Sequence, residues 1–129
     1  MPSISKMMGF GLAPQVAGAV TGDVVNNVTA TGTTQATALA LSANHNLLTV
    51  VALNSGVMLP AISSPPGLGV SNGDQITVYN NGANPAAVYP PLGSTIGLAA
   101  VNTAVAVASG KASRFTMLTP TIWGVVASA

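Results

Sequence analysis

The sequence predicts an all-β fold, an antiparallel β-sandwich or jelly roll, with an extended N-terminal arm over residues 1–23 and the folded domain over residues 24–129. Three observations lead to it. Short apolar runs are separated by Gly, Pro, Asn and Ser about every 8–12 residues, the spacing of a sandwich made from short strands. No window of about a dozen residues places its apolar positions at a helical period. The 129-residue length is that of one domain, long enough to bury a core without cross-links.

The arm comes first. Met7, Met8, Phe10 and Leu12 are interspersed with glycines and follow neither period. They are too few and too irregular for a core of their own. They are the candidate partner-binding residues, because flexible Met side chains fill irregular apolar grooves. Lys6 and the Ala17-Gly18-Ala19 triplet suggest the two ends of a signal peptide, but Gly9, Gly11, Pro14 and Gln15 break the apolar stretch such a leader needs.

Strand signals begin at Val24. Residues 24–31 alternate late and are broken by Thr33, Thr34 and Gln35. Residues 36–41 alternate cleanly, with Thr37, Leu39 and Leu41 on one face and alanines on the other. Asn44, His45 and Asn46 punctuate the chain. Residues 47–53 are continuously apolar, as in a strand buried on both faces. Asn54, Ser55 and Gly56 turn into a short strand over 57–62 that contains Pro60. A Ser-Pro-Gly loop over 63–67 and the Asn72-Gly73 turn follow. In the next strand Ile76 and Val78 face one way, Thr77 and Tyr79 the other, and Asn81-Gly82 reads as a hairpin connection to residues 86–89. Pro90 and Pro91 end that strand. Residues 104–108 alternate again, Ser109-Gly110 turns into 113–119, and Pro120 separates this from Ile122–Ala127.

Charge narrows the function. Lys6, Asp23, Asp74, Lys111 and Arg114 are the only charged side chains, 4% of the chain, against about 25% in an ordinary soluble domain. A net charge of +1 gives no electrostatic footprint for nucleic acid or for an anionic membrane. The apolar runs are of strand length, short of the roughly 20 residues a spanning helix needs. There is no Cys, and a metal site would have to be assembled from His45, Asp23 and Asp74 alone, so no cofactor or metal is expected.

The same scarcity argues against catalysis. Asp23 and Asp74 each follow a Gly, the context in which a carboxylate caps a turn. His45, between two strands, is expected in a loop, bonding nearby backbone. One His without a partner base or acid makes no triad with the many serines. Gly67, Gly69 and Gly73 have the wrong spacing for a dinucleotide loop and lead into a strand. Asn27-Val28-Thr29 matches a glycosylation sequon, a short and unspecific pattern. Of the aromatics, Phe115 and Trp123 are expected in the core. Tyr79 and Tyr89 flank the expected hairpin and could pair across it as a sugar-binding platform.

One ordered series of motifs stands out: Ser55-Gly-Val-Met-Leu-Pro60, Gly73-Asp-Gln-Ile-Thr-Val-Tyr-Asn-Asn-Gly82, Val88-Tyr-Pro90, Gly93-Ser-Thr-Ile96, residues 105–110, Phe115, and Thr121-Ile-Trp123. Over roughly residues 36–126 the chain resembles small β-rich structural proteins of tailed-bacteriophage virions, the head decoration, cement and head-fibre proteins. The resemblance implies a non-enzymatic protein that forms a homotrimer, binds the major capsid protein and sits on the outer surface of the capsid. The composition is compatible with this. Alanines on the outward faces of the strands (Ala38, Ala40, Ala104, Ala106) suit a second packed layer or a subunit interface, and neighbours in a virion would cover an uncharged surface. The reading from a different class is a carbohydrate-binding β-sandwich module of a phage tail or fibre.

Overall fold

The computed structural model describes residues 24–61 and 70–128. Residues 1–23, with Met7, Met8, Phe10, Leu12, Lys6 and Asp23, lie outside them. Among the described residues there is no helix. Ten strands run in order: β1 (Val24–Ala30), β2 (Leu39–Ala40), β3 (His45–Val51), β4 (Gly56–Met58), β5 (Gln75–Asn80), β6 (Ala86–Tyr89), β7 (Thr95–Ile96), β8 (Val105–Val107), β9 (Ala112–Thr119) and β10 (Ile122–Ala127). They form a six-stranded sheet, β1-β3-β5-β9-β10-β7, and a four-stranded sheet, β2-β4-β6-β8.

The all-β, two-sheet expectation holds. The two sheets are sandwich-like, but the strand directions correct the antiparallel part of the expectation. From β1 to β6 the chain changes sheet at every step, and each strand lies parallel to the one two before it: β1 with β3, β3 with β5, β2 with β4, and β4 with β6. The chain is thus wound into three flattened coils. Parallel neighbours need a crossover connection. Here the strand in the opposite sheet supplies it, as a helix does in a βαβ unit. Apart from a single bridge between Thr31 and Gly56, antiparallel pairing enters at the far end, where β8 joins β6, β9 joins β5 and β10 joins β9.

The Asn81-Gly82 segment shows why the sequence misleads. It joins β5 to β6, which lie in different sheets, so it turns a corner and is no hairpin. Asn80 causes the change of direction. Its buried side chain donates from Nδ2 to the carbonyls of Asn84 and Val107, both at 2.9 Å, while Oδ1 accepts from the Gly82 N–H at 2.9 Å. A Cβ on Gly82 would lie 2.5 Å from Cγ2 of Val51, so the corner passes directly over β3. The expected strand over 36–41 also shrinks, because the carbonyl of Thr34 accepts from the N–H groups of Thr37 and Ala38 and holds that segment in a turn.

One core lies between the sheets. From the six-stranded sheet come Val28, Ala30, Leu48, Val51, Ile76, Val78, Phe115, Met117 and Trp123; Val57, Ala86, Val88 and Val107 face them from the other. Alternation puts these side chains inward and leaves the intervening ones on the outer faces. Phe115 and Trp123 are completely buried, as expected.

Candidate interaction surface

The outer face of the six-stranded sheet follows directly from the register. Val24 pairs with His45, His45 with Thr77, Thr77 with Arg114, and Arg114 with Val126, so these five side chains form one row across five strands. The next row brings Leu47, Tyr79 and Ala112 together. Farther along, Leu118 lies over Gly124, with its Cδ1 3.2 Å from where a Cβ on that glycine would stand, and Ile122 is exposed nearby on β10. Val24, Leu118, Ile122 and Val126 are all exposed on this face, and Arg114 is its one charged side chain among the described residues.

A second exposed apolar group sits on the segment from Pro90 to Thr103. Leu92 is 82% exposed, Leu98 is fully exposed and Val101 is 56% exposed. This segment is held by side chains. Asn102, in the left-handed region at φ 63°, accepts at Oδ1 from the Gly93 N–H at 2.7 Å and from Nε2 of Gln35 at 3.1 Å. The same Gln35 nitrogen donates to the Pro90 carbonyl at 2.8 Å. Three aliphatic side chains are therefore presented from a braced backbone. Nothing in the sequence marked them, since a Leu beside Gly and Pro looks the same whether it points in or out.

The other candidates are placed as follows. His45 opens β3 and is no loop residue, which corrects the expectation. Its ring stacks on Tyr79, with centroids 6.2 Å apart and planes inclined by 27°, and its Nδ1 lies 3.4 Å from the Tyr79 hydroxyl. β3 begins earlier than the apolar run suggested because Asn46 points inward, where Nδ2 donates to the Ala43 carbonyl at 2.9 Å. Tyr79 and Tyr89 lie on different sheets, so they neither pair nor form a joint platform; the Tyr89 hydroxyl instead donates to the Thr33 carbonyl at 3.2 Å. Asp74 caps its turn as expected, its Oδ2 accepting from the Ser71 N–H at 2.9 Å. Of the outward alanines, Ala40 and Ala106 are exposed, and Ala38 and Ala104 half-buried. Met7, Met8, Phe10 and Leu12 lie outside the described residues. Among the described residues no three His, Asp or Glu side chains gather into a group that could hold a metal ion.

Compared with known proteins, the chain matches no family model, no curated protein and no solved structure.

Proposed function

We propose that the protein is a virion structural protein of a tailed bacteriophage, a decoration or cement protein that binds the outer surface of the head as a homotrimer and stabilises contacts between major-capsid subunits. The observation that carries this reading is the balance of the surface. Eleven large apolar side chains are exposed, against three charged side chains among the described residues. A free monomer rarely leaves so much apolar surface uncovered without a partner for it. The braced Leu92, Leu98 and Val101 group offers a rigid contact. The N-terminal segment adds Met7, Met8, Phe10 and Leu12, and several such segments linked in one oligomer would bind with avidity. Burying apolar groups makes this attachment insensitive to salt, unlike an ionic one. In this reading the protein is no enzyme and needs no cofactor.

Copy number tests the proposal. The purified chain is mixed with undecorated heads and the bound copies per particle are counted by quantitative mass spectrometry. Hundreds per particle are expected. A handful would overturn the head assignment in favour of a carbohydrate-binding module on a tail or fibre, a reading that the exposed Tyr79 ring favours. A chain starting at residue 23 should fold but decorate weakly; undiminished decoration would remove the N-terminal segment as an anchor.

A further inference from the structure

The pairing of β3, β5 and β9 brings together three residues that the sequence holds far apart. His45 and Arg114 flank Thr77 in one row, two strand spacings or about 10 Å apart at their Cα atoms. Tyr79 stands diagonally to both, within reach of long side chains. Thr77 faces outward by alternation, yet it is only 9% exposed, so the surrounding side chains close over it. His45 lies against the hydroxyl end of the Tyr79 ring, and Tyr79 is still 40% exposed. Directly across from the ring on β9 is Ala112, whose methyl group is too small to cover it.

We propose that this place is a subsite for an acidic saccharide, a sugar ring bearing a carboxylate. The exposed part of the Tyr79 ring takes the apolar face of the sugar, on the side of Ala112. Arg114, diagonal to Tyr79, presents the planar donor fork that matches a carboxylate. His45 fixes the plane of Tyr79 by stacking and by the contact to its hydroxyl. Charge favours an anion here. Asp74, the only side-chain carboxylate among the described residues, precedes the opposite end of β5 and is engaged by the Ser71 N–H. This inference is independent of where on a virion the protein sits, so copy number and saccharide binding can fail separately.

The test uses the full chain and a galacturonic acid trisaccharide, with its methyl ester as a probe of the same shape without charge. Amide NMR shifts on titration should centre on His45, Tyr79, Ala112 and Arg114. The ester should bind about tenfold more weakly, the worth of one charge-assisted hydrogen bond, and Arg114→Gln should lose the same factor for the acid only. Tyr79→Ala should abolish binding of both, and Tyr79→Leu serves if the alanine variant does not fold. The proposal is overturned if millimolar acid trisaccharide moves no amide of this group, if acid and ester bind equally, or if a folded Tyr79 variant binds as before.

Discussion

At the scale of single residues, Trp123 and Asn80 mark what a sequence can and cannot say. The burial of Trp123 was legible, because a lone Trp in an alternating segment near an apolar face belongs to the core. Its Nε1 is buried with no hydrogen-bond partner, which no pattern announces. Trp123→Ala should therefore cost about 3–5 kcal/mol, whereas Trp123→Phe should cost far less, because it removes an unpaired polar group along with part of the ring. Urea unfolding of both variants checks this; equal losses would mean that the indole nitrogen is satisfied in solution. Asn80 stands just before the Asn81-Gly82 turn signal, and nothing in the sequence singles it out. In the fold it is a buried hub for three hydrogen bonds to the backbone. Asn80→Ala leaves two carbonyls and one N–H without this partner, and about 3 kcal/mol of destabilisation is expected. A loss below about 1 kcal/mol would show that water replaces the amide.

At the scale of elements, the positions of most strands were legible and their neighbours were not. Alternation tells which face of a strand is buried, and that information is local. Whether the next strand lies beside it or across the core depends on the corner between them, which here rests on one amide and one glycine. The two-residue β7 escaped notice because Thr95 and Ile96 are too short a run to show any period. Two glycines allow the corner to be tested against an ordinary turn. At Gly73, φ is 92° and nothing lies within 4 Å of an added Cβ, so Gly73→Ala meets only backbone strain, about 1 kcal/mol. At Gly82 an added Cβ would also lie 2.9 Å from the Val51 backbone nitrogen, so Gly82→Ala must displace a strand and should cost about 1–3 kcal/mol. Calorimetric unfolding should rank Gly82→Ala as the more damaging; the reverse order would mean that the corner yields easily.

At the scale of the whole molecule, the outer surface was legible in kind, as charge-poor, but not in layout, because the row from Val24 to Val126 exists only once five strands are in register. Replacing Leu92, Leu98 and Val101 together by Ser should leave the unfolding free energy within about 0.5 kcal/mol per site, since exposed side chains carry little stability. The same variant should lose attachment to particles in a pull-down; retained attachment would move the contact elsewhere. The winding of the three coils also has a consequence in time. A chain leaves the ribosome from its N-terminus, and coils β1 to β6 could in principle stack as they appear. Yet the two largest fully buried side chains, Trp123 and Phe115, belong to β10 and β9, which are made after all six of those strands, and β9 takes a place in the interior of its sheet. The early coils therefore face an open core until β9 and β10 have been made. A fragment ending at residue 111 is predicted to show no protected amides in hydrogen exchange, and native-like protection of β3 and β5 in that fragment would refute it. On this account folding waits for β9 and β10, and the earlier coils gain a lasting shape only once those two strands close the core over them.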